Sequence, residues 1–293
     1  MTFPQLAYGT PRKLPKASAL VGRVVVLDVA FAGGGGATFE GVTKPFIDGL
    51  GTRLVAWIDH HDHAMHTVYA ADPRFILRTK AQHGACPEMI TPELVERTGA
   101  IDTICCHTDF DGLCSAAKWI RNGREPYPGA DDDARAIDTR MGEPGPIAVT
   151  LDRALRARGG DDALRGIIVR FLADGADDMG LFGLIQDAAE QLRPREEEAR
   201  RLSAGYRVHG NVAVVDASGR TQPYDKTYLL LLGQERARIS VVHDKTTVTV
   251  ATRFDSGVDL LVLFGLEGGM PTVVSLPIAR LPDVFQALGL PQL

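Results

Sequence analysis

The chain has 293 residues, of which 45% are hydrophobic and 24% charged, and its formal net charge is −5. It is long enough for two globular domains, and its composition is ordinary for such a protein. The acidic balance argues against a general affinity for long duplex nucleic acid, because that binding depends on Lys and Arg neutralising phosphates.

We expect neither a targeting segment nor a membrane span. Residues 1–16 contain prolines and charges but no apolar stretch of the kind that a signal peptide has. No apolar run is long enough to cross a bilayer. The 4 cysteines show no C-x-x-C spacing and no secreted-type framework. Reduced thiols and a cytoplasmic location are therefore expected.

The first predicted strand covers residues 23–31, an apolar and β-branched run that is interrupted by Asp28. A carboxylate buried there is destabilising unless a cation or hydrogen bonds compensate it, so Asp28 needs a partner. A run of glycines follows at 33–36. It could bring backbone amides to a phosphate, but it lacks the spacing of known phosphate loops, so a flexible loop is favoured.

A second buried strand is predicted at 53–58, and the acidic and histidine-rich run 59–63 follows it directly. Imidazole binds first-row metals, and neighbouring carboxylates can orient the ring. Because successive side chains of a strand point to opposite faces, we expect one histidine to bind a metal and its neighbour to face a substrate. A strand at 74–78 and a helix at 92–98 come next, and His83 between them is interpreted as a plain loop residue.

The central element is a buried strand at 101–106, followed by the turn 107–112 and at once by a helix. His107, Asp109 and Asp111 alternate along this turn, at the end of the strand where open α/β sheets bind ligands. A helix cap would need only one carboxylate, whereas this turn offers two and an imidazole. A divalent-metal site is therefore favoured over capping alone.

An acidic loop is predicted at 131–133, and a short strand at 134–137 would then deliver Asp138 to the edge of the site. Asp138 is a weaker candidate than Asp28, since Arg140 could pair with it. Residues 147–202 are predicted to be helical, and Gly205 marks a natural domain boundary.

Beyond that boundary the pattern changes. Strands are predicted at 211–215, 239–243, 247–253 and 272–275, with helices at 225–232 and 258–264. We therefore predict an α/β protein with two domains. Residues 1–204 would form a mainly parallel sheet flanked by helices, and residues 205–293 a smaller mixed α+β domain.

Three motifs together resemble those of the DHH phosphoesterase superfamily. They are V-L-D, which ends at Asp28, D-H-H at 59–61 and H-T-D-F-D-G at 107–112. That superfamily includes RecJ-type exonucleases, small-oligonucleotide phosphodiesterases and related inorganic pyrophosphatases. The resemblance implies a DHH-like catalytic domain in which two divalent ions, Mn²⁺ or Mg²⁺, are bound. Histidine-containing, carboxylate-rich sites suit Mn²⁺ on general grounds as well.

The resemblance also implies a role for each motif residue. His107 and Asp109 would bind one ion, and Asp111 the other. Asp28 would bridge both ions, and His60 would complete the donors of the second.

Substrate contacts and proton handling follow from the same resemblance. The second histidine of D-H-H, His61, would meet the phosphate. Asp109 or Asp28 could also take part in proton transfer. In the family the H-x-D-x-D element comes first and D-H-H last, so this chain looks circularly permuted. We accordingly expect the Asp28 strand to lie beside the strand 101–106, with Asp28 in reach of the same ion as Asp109.

The C-terminal part resembles, more weakly, the DHH-associated domain that clamps substrate. Arg253 and the glycines Gly268 and Gly269 echo its pattern, with Met270 and Pro271 in place of the usual Gly-His. The resemblance implies that these three residues bind substrate held between the domains. The alternative is that Arg253 is a strand residue paired with Asp255 or Asp259.

The predicted function is that of a metal-dependent phosphoesterase, a hydrolase acting on a small phosphorylated or nucleotide-like substrate by a two-metal mechanism. A homodimer is left open. The alternatives are a RecJ-type single-strand exonuclease and a non-hydrolytic metal- or nucleotide-binding sensor or assembly module. A zinc protein built on Cys105, Cys106 and Cys114 fails on spacing, since Cys105 and Cys106 point to opposite faces of one strand.

Overall fold

The computed structural model describes residues 3–33, 36–266 and 268–291. The chain divides into two compact units, Met1–Glu190 and Gln191–Leu293. This division lies earlier than the expected boundary at 204/205. Each unit has its own hydrophobic cores, and we describe them separately.

The first unit contains one five-stranded parallel sheet. The five strands are β1 (Gln5–Tyr8), β2 (Val24–Leu27), β3 (Leu54–Asp59), β5 (Phe75–Leu77) and β6 (Thr103–Cys106). The two-residue strand β4 (Asp62–His63) is not part of this sheet. The order across the sheet is β1-β6-β2-β3-β5, and every neighbouring pair is parallel. The predicted α/β class is confirmed. The edge strand β1 was not predicted, because a half-exposed strand of four residues has no clear pattern.

The central strand β2 is buried on both faces, which explains its unbroken apolar sequence. Val25 and Leu27 pack into one hydrophobic core, which includes residues of several later helices. Val24 and Val26 face the other core, around Trp57. The sheet is therefore the middle layer of the unit, and its strand ends are fixed from both sides.

Helices form the outer layers of this unit. They are α1 (Lys44–Leu50), α2 (His66–Tyr69), α3 (Pro92–Thr98), α4 (Phe110–Ile120), α5 (Ala130–Thr139), α6 (Pro146–Ala157), α7 (Asp162–Ala173) and α8 (Met179–Glu190).

Helix α5 corrects two predictions. The stretch expected to be an acidic loop at 131–133 and a strand at 134–137 is one helix. Ala130, Ala134 and Ile137 are buried at helical spacing, so the apolar residues form a helix face. The three aspartates occupy its first turn, where the helix dipole favours negative charge.

The second unit is a smaller mixed domain, as predicted. Its strands are β7 (Arg207–His209), β8 (Val212–Asp216), β9 (Ile239–His243), β10 (Thr247–Thr252), β11 (Gly268–Gly269) and β12 (Val273–Pro277). Its helices are α9 (Arg193–Ser203), α10 (Lys226–Gln234), α11 (Leu260–Phe264) and α12 (Leu281–Ala287). The five-stranded sheet has the order β12-β10-β9-β8-β7, in which only β8 and β9 are parallel.

Helix α9 belongs to this unit because its buried face packs there. Ala199 lies in the same core as Tyr206 and Leu229, and the backbone N–H of Asp225 donates to the carbonyl of Arg195. Within the ranges described, no helix combines the length and the apolar character that a bilayer crossing needs.

Candidate metal centre

The three motif stretches meet at one edge of the parallel sheet. Asp28 follows β2, and His107 follows β6. Asp59 is the last residue of β3, and His60 and His61 come directly after it. Strands β6, β2 and β3 are adjacent and parallel, so their C-terminal ends lie side by side. The register pairs Val24–Leu27 with Thr103–Cys106, which confirms the expected adjacency of these two strands. The circular permutation stays a prediction.

Potential metal-binding side chains cluster at this edge. We define an outer donor group (Asp28, His107 and Asp109) and an inner donor group (His60, Asp111 and Asp138). Within each group one ligand atom per residue lies within 4.8 Å of the others, and the same holds for a third set, Asp28, His60 and His61. The structure thus brings together every residue predicted as a metal ligand. Their roles as ligands stay predictions.

Asp28 is a buried carboxylate whose ion-pair partners among the described residues are all histidines. Its side chain is 1% exposed, and neither carboxylate oxygen accepts a hydrogen bond from the described residues. Its backbone is left-handed, with φ of 60°, a conformation that Asp tolerates better than most residues. A buried carboxylate without hydrogen bonds destabilises the folded chain, and a bound cation would compensate its charge. Carboxylate oxygens and imidazole nitrogens together fit a divalent ion such as Mn²⁺.

His60 is oriented by the backbone. Its Nδ1–H donates to the carbonyl oxygen of His83 at 2.9 Å, so Nε2 is the atom turned toward the acids. Nε2 lies 3.2 Å from Asp111 Oδ2 and 3.5 Å from Asp138 Oδ2. His83 was interpreted as a plain loop residue. Its carbonyl is what positions His60, and a backbone contact leaves no trace in the sequence.

The pKa values reflect an excess of negative charge. Burial lowers the pKa of His60, but Asp111 and Asp28 outweigh it and raise the value to about 10. Burial likewise opposes protonation of His107, while Asp109 and Asp28 raise its pKa to about 9. Burial and the charges of Asp111 and Asp109 raise the pKa of Asp28 well above its usual range. A cluster that retains protons in this way is suited to binding cations.

Asp111 and Asp109 are held by backbone amides. The N–H of Cys86 donates to both oxygens of Asp111, at 3.0 and 3.2 Å. Asp109 caps helix α4 by accepting from the N–H of Gly112 at 3.1 Å, and its second oxygen lies 2.8 Å from His107 Nδ1. Asp109 is therefore the N-terminal cap of α4 and at the same time a member of the outer donor group.

His61 pairs with the first residue of its motif. Its Nδ1 lies 2.8 Å from Asp59 Oδ1, and Asp59 is fully buried. Burial lowers the pKa of His61 despite this carboxylate. A neutral imidazole with Nδ1–H held by Asp59 presents Nε2 as an acceptor. That arrangement is compatible with the predicted contact to a phosphate, which stays a prediction.

Lys80 is a site residue that the sequence did not reveal. It follows β5, its side chain is 2% exposed, and its Nζ lies 3.3 Å from His60 Nε2. Nζ also forms an ion pair with the carboxylate of Asp138. Burial lowers the pKa of Lys80, and Asp111 and Asp28 oppose that shift. A single lysine in a polar turn has no sequence pattern that distinguishes it from a surface lysine.

The substrate-binding candidates of the second unit are described by the contacts within that unit. Arg253 is more than half exposed and pairs with Asp255, with N···O distances of 3.0 and 2.9 Å. This is the pairing considered as the alternative. Gly268–Gly269 forms β11. Substrate roles for these three residues stay predictions. In the first unit, Gly34 and Gly35 of the glycine run lie outside the described residues.

No protein-family model and no curated protein matches the chain. Among solved structures, the pGpG-specific phosphodiesterase PggH from Vibrio cholerae is similar at 13% identity and a TM-score of 0.45, over 92% of this chain and 97% of that one. A manganese-bound exonuclease RecJ is similar at 14% identity and a TM-score of 0.47, over 90% of this chain and 74% of that one.

Proposed function

We propose that the chain is a divalent-metal-dependent phosphoesterase and that the outer and inner donor groups form its active site. The observation that carries this proposal is Asp28, a buried carboxylate that accepts no hydrogen bond from the described residues and faces both groups. The resemblance of the three motifs to those of DHH phosphoesterases supports the same reaction class.

The proposal includes two ions, Mn²⁺ or Mg²⁺. The outer donor group would hold one and the inner donor group the other. Asp28 is suited to bridge them, since its Oδ1 lies 3.2 Å from His60 Nε2 and its Oδ2 lies 3.7 Å from His107 Nδ1. When bound, such ions supply a nucleophilic water and stabilise the negative charge of a phosphoryl group.

The protein's own groups have distinct parts in this scheme. Asp59 holds the His61 ring, so that Nε2 can contact a phosphate oxygen in a fixed orientation. The backbone amides of Cys86 and Gly112 fix the carboxylates of Asp111 and Asp109. Because these contacts exist before a substrate arrives, the site needs little reorganisation when it binds.

We further propose a small phosphorylated or nucleotide-like substrate. The net charge of −5 gives no broad surface attraction to long nucleic acid. Binding would then depend on local contacts at the site. A single-strand exonuclease and a non-hydrolytic binding module are the competing outcomes.

The test is a substrate screen with the metal-stripped full chain, reloaded with Mn²⁺ or Mg²⁺. The panel contains p-nitrophenyl phosphate, bis-p-nitrophenyl phosphate, dinucleotides including pGpG, 3′-phosphoadenosine phosphate and single-stranded oligonucleotides. We expect metal-dependent turnover of a small substrate that stops with a chelator and in Asp28→Asn. Asn accepts the same left-handed backbone, so the fold of this control should persist.

Two outcomes would redirect the proposal. Turnover confined to oligonucleotides would identify an exonuclease. Metal binding without hydrolysis of any substrate in the panel would identify a binding module.

A further inference from the structure

We propose that Lys80 is an internal cation that competes with a divalent ion for the inner donor group, so that the two metal positions differ in affinity. The inference rests on the metal centre of the proposed function. It concerns how many ions the site holds at a given metal concentration.

The ammonium group of Lys80 contacts residues of the inner donor group. Lys80 Nζ lies 3.3 Å from His60 Nε2 and forms an ion pair with the carboxylate of Asp138. His60 Nε2 is itself 3.2 Å from Asp111 Oδ2. The ammonium therefore contacts two of the three side chains that define the inner donor group, His60 and Asp138.

The lysine is placed there by a structured turn. The N–H groups of Gln82 and His83 donate to the carbonyl of Thr79, and the N–H of Lys80 donates to Asp62 Oδ2 at 3.3 Å. The carbonyl of His83, in the same turn, orients His60. The same turn therefore positions the Lys80 ammonium group and also provides the carbonyl that orients the His60 ring toward that group.

The outer donor group has no equivalent cation. Asp28 forms its ion pairs with histidines, and Asp109 forms one with His107. Among the residues that the structure describes, no Lys or Arg side chain is ion-paired with either carboxylate. The two proposed metal positions therefore differ in one respect: the inner one has an ammonium group beside it and the outer one does not. Both would use Asp28 as a bridging ligand, and both consist of carboxylates and imidazoles.

Competition follows from electrostatics. An ammonium and a divalent ion repel each other strongly at a few ångströms in a buried site. An ion entering the inner donor group must displace Nζ from Asp138, whereas an ion entering the outer group displaces no amine. We therefore expect the first ion to bind at the outer group and the second to bind more weakly.

The experiment measures ion binding rather than turnover. The metal-stripped full chain is titrated with Mn²⁺ by calorimetry, and bound manganese is counted by elemental analysis after equilibrium dialysis. Wild type should bind one ion tightly and a second at least about tenfold more weakly. Lys80→Met keeps the length of the stem and removes the charge. It should tighten the second ion at least about tenfold and the first by less than about threefold.

Lys118→Met is the matched control. Lys118 is also buried and ion-paired, but with Asp131, and its Nζ donates to the carbonyl of Pro87 rather than to a donor group. This variant should bind manganese as wild type does. In Lys80→Met combined with Asp138→Asn, the gain in the second affinity should disappear. Lys80→Gln serves in the same role if the methionine variant does not fold.

Each result has a definite consequence. Two ions of equal affinity in wild type, or a second affinity in Lys80→Met equal to that in Lys118→Met, would overturn the inference. Absence of ion binding in every variant would overturn the metal centre and with it the proposed function. The expected affinities without hydrolysis of any substrate would overturn the proposed function alone.

Discussion

Asp111 is a carboxylate that the backbone holds in place for a cation. The Cys86 amide donates to both of its oxygens, and His60 Nε2 lies 3.2 Å away. Asp111→Asn keeps an acceptor for that amide but loses the negative charge. We expect metal-dependent hydrolysis to fall by at least about a hundredfold, since the variant would lose one of the proposed metal ligands.

Stability should change little. The charge of Asp111 raises the pKa of Asp28 by repulsion and the pKa of His60 by attraction, so its loss removes one unfavourable and one favourable interaction. The metal-free variant should therefore melt close to the temperature of the metal-free wild type in calorimetry. Near wild-type turnover, or a clearly lower melting temperature, would contradict this account of Asp111.

Ion binding should depend on pH through His107. Its pKa of about 9, against the usual 6.5, means that at neutral pH the ring carries a proton that a metal must displace. The affinity for the first Mn²⁺ should therefore rise by up to about tenfold per pH unit between 6.5 and 9 and then level off. Calorimetry in buffers of different ionisation heat should detect the released proton. A constant affinity over this range would contradict the prediction.

The sequence reveals the residues that belong to local patterns. His107, Asp109 and Asp111 stand in one turn, and Asp28 is conspicuous as a carboxylate within an apolar strand. Lys80 and the His83 carbonyl could not be predicted. Their contacts with His60 cross the sheet edge from a polar turn, and they depend on how that turn folds.

At the scale of elements, the turn between β6 and α4 depends on Gly112. A Cβ at this position would lie 2.7 Å from both the Cβ and the carbonyl oxygen of His107. Gly112→Ala must therefore shift the turn that carries His107 and Asp109 of the outer donor group. We expect a destabilisation of about 1–3 kcal/mol and a loss of Mn²⁺ affinity of at least about tenfold.

Gly183→Ala provides the control. Gly183 lies within α8, and no atom lies within 4 Å of its added Cβ. Alanine there should stabilise the chain by about 0.5–1 kcal/mol and leave ion binding unchanged. Denaturant unfolding and manganese titration of both variants measure these effects. Equal behaviour of the two variants would show that the turn tolerates a side chain.

Helix α5 shows where element prediction failed. Its apolar residues are mostly alanines, and three consecutive aspartates separate Ala130 from the others, so the local pattern is too weakly apolar to indicate a buried helix face. These residues form a helix because Ala130, Ala134 and Ile137 pack together into the hydrophobic core of the unit. Asp138 still reaches the site, because it lies on the last turn of that helix.

At the scale of the whole molecule, all the residues of the two donor groups belong to the first unit. The donor residues lie between Asp28 and Asp138, and two hydrophobic cores are formed within residues 1–190. We expect this segment, produced alone, to fold and to bind Mn²⁺ with affinities within about threefold of the full chain. Circular dichroism and calorimetry would test both points. Failure to fold alone would show that the second unit is needed for stability.

The expected role of the second unit is tested at Arg253. Its pair with Asp255 is exposed, so Arg253→Ala should leave the melting temperature nearly unchanged. If this unit contacts substrate, KM should rise for dinucleotides and oligonucleotides but not for p-nitrophenyl phosphate. Arg280→Ala, at another exposed pair in this unit, is the control. If both variants changed KM equally and only slightly for every substrate, Arg253 would have a structural role and no contact with substrate.

The domain boundary could not be located from the sequence. The charged helix α9 was expected to close the first domain, since its charges suggest a solvated linker. Ala199 and the partly buried Leu202 join it to the core of the second unit. Two apolar residues on a charged helix do not indicate the side on which the helix packs.

The left-handed backbone at Asp28 limits the residue types that can replace it during evolution. Glycine, asparagine and aspartate are the residues that adopt that conformation readily, and of these only aspartate carries a charge. A descendant that loses the carboxylate can therefore keep the same main-chain path with asparagine or glycine. Such a lineage would inherit the architecture without the cation. The residue at this one position is thus expected to separate ion-binding descendants of the chain from pseudoenzymes.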